Sequence, residues 1–283
     1  MPYKKILVAI DIYEDSTDIV REAQLIAKNN HAELHFAYTL PHVITSIPYA
    51  YDFQKDIQEE AKDKLKDLQK QTGETPSHIH LLHGNPKSEI CELGKTLGAD
   101  LIITGSHGKH GLDLLLGSIA NGILHLAKSD VLTVRVNKKN KHMVSEHYRN
   151  IIVATDLDAD NQKIMETAQT IAKRYSANLH VINAIPHMTT TAMSYYPNME
   201  HELKVEAEKQ LKVLAQKLSA NAQHFKAEIG LPKNVIIDAA KEANAELIVI
   251  GSHGRKAIGS AIIGSTANAV LHAAKQDVLV VKI

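Results

Sequence analysis

The first hydrophobic positions along the chain form two different patterns, a continuous run and then a periodic spacing. Ile6–Ile10 is a continuous apolar run, which is typical of a strand buried on both faces of a sheet. The next apolar positions recur at i, i+4, i+7 and i+8, which is the spacing of one helix face: Ile19, Ala23, Ile26 and Ala27. The pattern therefore predicts a strand followed by a helix.

The same alternation continues to residue 136. It predicts further strands at Leu34–Tyr38, His78–Leu82, Leu101–Thr104 and Val131–Val136, and helices at Gln54–Gln71, 87–97 and 118–128. Alternating strands and helices give an α/β fold, here a five-stranded parallel sheet with helices on both faces. In such doubly wound sheets, ligands bind beyond the carboxyl ends of the strands, near the point where the strand order reverses.

The whole pattern occurs twice. The segment YKKILVAID at 3–11 matches YRNIIVATD at 148–156, and DLIITGSHG at 100–108 matches ELIVIGSHG at 246–254. The offset between matching segments drifts only from 145 to 147, which indicates a duplicated domain with two small insertions or deletions. We predict two doubly wound domains at 1–136 and 148–283, joined by a polar linker at 137–147.

Composition and charge narrow the class of protein. Lys+Arg and Asp+Glu both number 32, so the surplus of positive charge that favours nucleic-acid binding is missing. No apolar run approaches the roughly 20 residues that span a bilayer. The single cysteine, Cys91, has no second cysteine in the chain for a disulfide. These features predict a cytoplasmic protein that binds neither nucleic acid nor membranes.

Glycines and a serine recur after the fourth strand of both copies. The positions are Gly105, His107, Gly108, Gly117 and Ser118 in the first copy, and Gly251, His253, Gly254, Gly264 and Ser265 in the second. Glycines let backbone N–H groups approach a phosphate, and a helix N-terminus adds unpaired donors. We expect Ser118 and Ser265 to cap that helix and to offer hydroxyls to a phosphate. A plain glycine turn is the alternative, but recurrence in both copies favours phosphate binding.

An aspartate ends the first strand of each copy, Asp11 and Asp156. This position faces the same predicted cleft, where a carboxylate would anchor the sugar or the base of a ligand. The alternative is a loop aspartate that caps the following helix. The sequence leaves both roles open.

The aspartate at the end of the first strand, and the Gly-x-x-Gly followed some nine residues later by Gly-Ser, resemble the motifs of the universal stress protein family. The resemblance covers almost the whole chain, apart from the linker. The resemblance implies a fold like that of adenine nucleotide alpha hydrolases and a site for ATP, with or without Mg²⁺, in each copy. It implies that Asp11 and Asp156 hold the ribose or adenine side of the nucleotide. The backbone near Thr39 and Ala184 would touch adenine, and the Gly-Ser segments would wrap the phosphates.

These observations predict a nucleotide-dependent sensor or regulator in the stress response rather than an enzyme. The alternatives are a slow ATP hydrolase and a binding module for another small molecule. The chain lacks the Gly-x4-Gly-Lys-Ser/Thr pattern of P-loop hydrolases, and no general base with a clear partner stands out, so we predict no catalytic residue. The chain has 17 histidines but no His-x-x-x-His pair on a predicted helix with an acidic partner nearby, and it has no cysteine cluster. We therefore predict no metal site.

Two further expectations concern the relation between the copies. Nine residues separate Gly254 from Gly264, as in the family, whereas eight separate Gly108 from Gly117. We therefore expect the second copy to bind ATP at least as tightly as the first. Both copies end in an apolar strand, which predicts that they pair within the chain as a pseudo-dimer and leaves a homodimer open.

Overall fold

The computed structural model describes residues 3–40, 50–106, 116–135, 148–158, 161–188, 195–218, 220–253 and 263–283. The chain divides into two compact units, Pro2–Val144 and Ser145–Ile283. The predicted linker at 137–147 lies outside the described residues. Within these, no helix is both long and apolar enough to cross a membrane.

Strands and helices alternate through the first half, as the hydrophobic pattern predicts. The strands are β1 (Lys5–Ala9), β2 (Glu33–Leu40), β3 (Ile79–His83), β4 (Leu101–Gly105) and β5 (Asp130–Val134). The helices are α1 (Thr17–Asn30), α2 (Ala50–Thr72), α3 (Pro86–Leu97) and α4 (Ser118–Leu126), with one turn of 3-10 helix at Pro76–His78.

All five strands of the first half are parallel, in the order β3-β2-β1-β4-β5. The chain runs outward from β1 to β3 and then crosses to β4 on the other side of β1. Ala9, at the end of β1, is therefore paired with both Ala37 of β2 and Thr104 of β4. The reversal of strand order lies at β1 and β4, which is where a ligand cleft is expected.

The first strand is apolar along its length because helices cover both faces of the sheet. Ile6, Leu7 and Val8 are all fully buried, so successive side chains are covered on both faces of the sheet. Right-handed crossovers place α1 and α2 on one face and α3 and α4 on the other. The Gln24 amide donates to the carbonyl of Thr72 at 3.2 Å and ties α1 to the end of α2.

The second half repeats this architecture. Its strands are β6 (Asn150–Thr155), β7 (Asn178–Ile185), β8 (Phe225–Ile229), β9 (Leu247–Gly251) and β10 (Asp277–Val281). Its helices are α5 (Asn161–Tyr175), α6 (Met199–Lys217), α7 (Pro232–Glu242) and α8 (Ser265–Ala273), with a 3-10 turn at Ala222–His224. The parallel order is β8-β7-β6-β9-β10. The predicted fold, two doubly wound domains with five-stranded parallel sheets, is confirmed.

The predicted boundaries in the first half differ from those of the structure by up to four residues, and three examples follow. β3 begins at Ile79 instead of His78, because His78 closes the preceding 3-10 turn. The helix predicted to reach 128 ends at Leu126, because Ala127 is extended, with ψ at 140°, and leads the chain toward β5. β5 ends at Val134, whereas its predicted end, Val136, lies outside the described residues.

A tyrosine before the first strand of each half donates to an aspartate at the start of the last strand. The Tyr3 hydroxyl lies 3.0 Å from Oδ2 of Asp130, and the Tyr148 hydroxyl lies 2.9 Å from Oδ2 of Asp277. Burial and the charge of Asp130 hold the pKa of Tyr3 well above its usual value, so its hydroxyl keeps its proton. Each bond fastens the chain before the first strand to the last strand of its own sheet.

We expect Tyr3→Phe to lower the free energy of unfolding by about 1.5–3 kcal/mol, the usual contribution of a hydrogen bond to a charged group. Urea denaturation of the full chain measures the change. Tyr195→Phe is the matched control, because Tyr195 is 77% exposed. An unfolding midpoint for Tyr3→Phe equal to that of the control would contradict the assignment.

Candidate functional site

A cavity of about 790 Å³ lies beyond the carboxyl ends of the strands in the second half. It lies where the strand order reverses, between the ends of β6 and β9, and the end of β7 forms a further part of its wall. The volume is within the range of about 300–1,000 Å³ that small-molecule sites occupy. The fold therefore forms a cleft at the position that the sequence predicts.

Six of the predicted second-copy residues line this cavity. They are Asp156, Ala184, Gly251, His253, Gly264 and Ser265. They come from the ends of three strands and the start of α8, and they are as much as 109 residues apart in sequence. The seventh, Gly254, lies outside the described residues. The structure thus brings together all the predicted second-copy residues that it describes.

Asp156 is partly engaged by its own loop. Its Oδ1 accepts a hydrogen bond from the backbone N–H of Asp158 at 3.2 Å and another from the side-chain amide of Asn161, the first residue of α5. These bonds fix the loop after β6. A carboxylate has lone pairs for about four hydrogen bonds, so the loop role and a ligand role are compatible.

Asn183 and Thr155 form the polar floor between β6 and β7. The Asn183 amide donates to the carbonyl of Thr155 at 2.9 Å, and both residues are buried. The Thr155 hydroxyl in turn accepts from the backbone N–H of Leu157 at 3.0 Å. The hydrogen bonds hold the end of β7 close to the Asp156 loop.

Gly251 is required by packing at the end of β9. A Cβ at this position would lie 2.7 Å from Cδ1 of Ile164 and 3.2 Å from the carbonyl oxygen of His253. Ile164 is on α5 and is almost fully buried. The absence of a side chain therefore lets α5 approach the strand end, which is a reason for glycine besides phosphate binding.

His253 extends from the end of β9 along the cavity wall. Its Nδ1 lies 2.9 Å from the hydroxyl of Ser252, which is fully buried and also accepts from the backbone N–H of Ile283. The other ring nitrogen, Nε2, is buried and has no hydrogen-bond partner among the residues that the structure describes. A buried nitrogen of this kind favours a polar partner, and a ligand in the cavity would supply one.

The N-terminus of α8 forms the side of the cavity opposite α5 and α6. Gly264 is the residue before the helix, in an extended conformation, and Ser265 is the first helical residue and is exposed. The prediction that Ser265 and Ser118 cap these helices is wrong, because the preceding glycines take the capping position and neither helix has a side-chain cap. The first N–H groups of α8, which lack partners within the helix, are therefore available to an anion.

Helix α6 closes the cavity over the strand ends, and sequence reasoning missed its contribution. The further lining residues on α6 and α7 are Leu203, Glu206, Ala207, Gln210, Pro232 and Ile236. Asn161 and Asn183 were missed as well. Their positions, at the start of the first helix and just before Ala184, were the only signal in the sequence that could have identified the two asparagines.

The first-half counterparts lie at the equivalent strand and helix ends. Asp11 is exposed in the loop after β1, where its Oδ1 accepts from the backbone N–H of Tyr13 at 3.0 Å. Thr39 is buried within β2 and Gly105 ends β4. Gly117 precedes α4 and Ser118 begins it. His107 and Gly108 lie outside the described residues.

Two aromatic side chains, those of Tyr13 and Tyr38, lie near Asp11 in the first half. Tyr38 corresponds to Asn183 and Tyr13 to Asp158 by the repeat offset of 145. The two rings pack edge to face with centroids 6.0 Å apart, and Nζ of Lys64 lies 5.0 Å from the centre of the Tyr13 ring.

Tyr38 is buried, and this burial, together with the charge of Asp11, raises its pKa to about 12. Lys64 corresponds to Gln210, which lines the second-half cavity. Tyr38 and Lys64 therefore lie at first-half positions whose second-half counterparts, Asn183 and Gln210, line the cavity.

The chain matches known proteins along both halves. The sequence profile of the universal stress protein family matches residues 2–135 and again residues 147–282. Universal stress protein A homolog 1 of Coxiella burnetii is 39% identical over 140 residues, which are 47% of this chain and 97% of that protein. Universal stress protein E homolog of Haemophilus influenzae is 27% identical over 223 residues, which are 74% of this chain and 70% of that protein.

A solved structure shares the fold over almost the full length. The universal stress protein from Archaeoglobus fulgidus has a TM-score of 0.67 at 21% identity, and the match covers 98% of this chain and 96% of that one. The double match of the family profile agrees with the duplication found in the sequence. The chain therefore belongs to the universal stress protein family, with two domains of the family in tandem.

Proposed function

We propose that the second half binds ATP and that the protein is a nucleotide-dependent regulator in the stress response. One observation carries the proposal: the fold brings Asp156, Ala184, His253, Gly264 and Ser265 to the wall of one cavity of about 790 Å³. These are residues that the family resemblance assigns to a nucleotide. The cavity has the volume of a small-molecule site.

The chemistry of the cavity wall differs from end to end in a way that suits ATP. The N-terminus of α8 after Gly264 supplies N–H donors and the positive end of a helix dipole for phosphates. Asp156 supplies a hydrogen-bond acceptor for ribose hydroxyls. Apolar side chains of Ile185, Leu203 and Ala207 offer the surface on which adenine would pack. A Mg²⁺ ion, where ATP brings one, would be held through the phosphates.

Titration of the purified full chain with ATP by isothermal calorimetry tests the proposal. We expect one stronger site, which Asp156→Asn weakens while the matched Asp11→Asn change leaves it in place. Absence of binding at millimolar ATP would overturn the proposal. Mass spectrometry of the undialysed protein separates it from the alternative of another small molecule, because a retained ligand without the mass of an adenine nucleotide would favour that alternative.

We expect ATP turnover well below the range of about 1–1,000 per second that is typical of enzymes. The reason is that the hydroxyl next to His253, that of Ser252, is fully buried and is not among the residues that line the cavity. The chain also lacks the P-loop pattern. A steady-state phosphate-release assay gives the rate. A rate within the enzyme range that is abolished by Asp156→Asn would show instead that the protein is an ATP hydrolase.

The proposal also includes pairing of the two halves. The apolar strands β5 and β10 favour pairing of the two halves within the chain, and the same edges leave a homodimer open. A cytoplasmic location remains an expectation from the composition and the single cysteine.

A further inference from the structure

A second polar cluster lies at the opposite end of the first-half sheet, away from the nucleotide cleft. Glu33 and His35 lie near the amino end of β2 with side chains on the same face, because they are two residues apart in a strand. His78 immediately precedes β3, the strand paired with β2. The pairing of β2 with β3 therefore brings a carboxylate and two imidazoles together from positions up to 45 residues apart.

The three side chains already have the spacing of a metal's ligands. Oε1 of Glu33 lies 2.9 Å from Nε2 of His35 and 3.3 Å from Nε2 of His78. One potential ligand atom from each residue lies within 4.8 Å of the other two. A tetrahedral Zn²⁺ ion with bonds of about 2.0–2.1 Å holds its ligands roughly 3.3 Å apart. Small shifts of these side chains would therefore admit the ion.

The opposite nitrogen of each imidazole is held by a second side chain. Nδ1 of His35 lies 3.0 Å from Nε2 of His80, and Nδ1 of His78 lies 3.0 Å from Oε2 of Glu74. The other oxygen of Glu33 accepts from Nζ of Lys5 at 3.0 Å. Metal-binding histidines almost always donate through their other nitrogen in this way, because the donation fixes the ring and leaves the lone pair for the metal.

Burial and exposure also suit a metal site. The His35 side chain is only 4% exposed, whereas Glu33 is 40% exposed and gives an ion access from solvent. Burial lowers the pKa of His35 and that of His80.

The second half contains the same histidine pair without the other components. His180 and His224 correspond to His35 and His78, and their rings stack with centroids 4.3 Å apart. Asn178 replaces Glu33, and Lys226 replaces His80. The carboxylate ligand and the histidine that orients His35 are thus both replaced, and a cation is added, so the second half serves as an internal comparison.

We propose that Glu33, His35 and His78 bind a divalent transition metal, Zn²⁺, with the fourth coordination position left to water. The two-histidine, one-carboxylate set with an open position is one that zinc accepts. His80, Glu74 and Lys5 act as positioning residues that orient the ligands. The prediction from sequence that the chain has no metal site did not consider this arrangement, because Glu33 and His35 lie on β2 and His78 lies in the turn before β3, with no shared local motif.

Zinc titration of the untagged, chelator-treated full chain tests the proposal. We expect about one equivalent to bind to the wild type, and His80→Ala or Glu74→Gln to weaken the affinity about 10–100-fold, as the loss of an orienting partner does. Glu33→Gln and His78→Ala should weaken it further. His224→Ala is the matched control from the second half, and it should leave the affinity unchanged.

Thermal unfolding with and without zinc separates a metal site from a purely structural cluster. Zinc should raise the Tm of the wild type and of His224→Ala but not that of Glu33→Gln, because a metal stabilises only the state that binds it. The proposal would be overturned if no zinc bound at micromolar concentration. It would also be overturned if Glu33→Gln and His224→Ala lost equal affinity, which would indicate scattered surface histidines.

Discussion

Asn183→Tyr should weaken ATP binding by the second half at least tenfold, a loss of about 1.4 kcal/mol or more. The first half has a tyrosine at the equivalent position. Tyr38, which corresponds to Asn183, is buried and packs against Tyr13 beside Asp11. A tyrosine ring in place of Asn183 would enter the cavity of about 790 Å³ at the junction of the Asp156 loop and the end of β7. Isothermal calorimetry with ATP measures the loss.

Two matched variants distinguish filling of the cavity from loss of a hydrogen bond. Asn183→Ser removes the bond to the carbonyl of Thr155 but leaves the cavity open, so it should affect binding far less than the tyrosine does. Tyr38→Asn removes the aromatic cluster in the first half and should strengthen any binding there. If Asn183→Tyr bound ATP as the wild type does, the cavity would not be the nucleotide site.

The fold was predictable from the sequence because the repeat supplied two independent versions of each pattern. The apolar positions Ile6–Ala9 and their copy at 151–154 lie in central parallel strands, where both faces are covered and no polar position interrupts the pattern. Helix ends were less predictable. Ser118 and Ser265 have a side chain suited to capping, but the adjacent glycine takes the extended capping conformation in each copy.

The site was predictable only where one short segment carries the chemistry. Gly251 ends β9 and His253 lies two residues beyond it, so their place at a carboxyl end follows from the strand itself. Glu206 and Gln210 line the same cavity from the middle of a charged helix, and in sequence they are indistinguishable from its solvent-exposed residues. Their role depends on how α6 packs across the strand ends, and this is decided by tertiary contacts alone.

The halves also differ in the length of the segment that precedes α4 and α8. Nine residues separate Gly254 from Gly264, and eight separate Gly108 from Gly117. A phosphate site of this kind directs several backbone N–H groups toward one point, so a loop shorter by one residue would misdirect some of them. The aromatic cluster near Asp11 adds a second, independent reason to rank the second half first.

Gly254→Val should therefore remove most ATP binding, because a β-branched side chain would occupy the place of the phosphate and restrict the backbone. The matched change Gly108→Val should matter less, since the first half contributes less binding. One argument opposes this ranking: the missing residue would be harmless if the loop absorbed it around Leu112–Leu114, leaving the glycines correctly placed. Calorimetric titration of the two single variants with ATP decides between these possibilities. Loss of binding in Gly108→Val with binding retained in Gly254→Val would reverse the ranking of the sites.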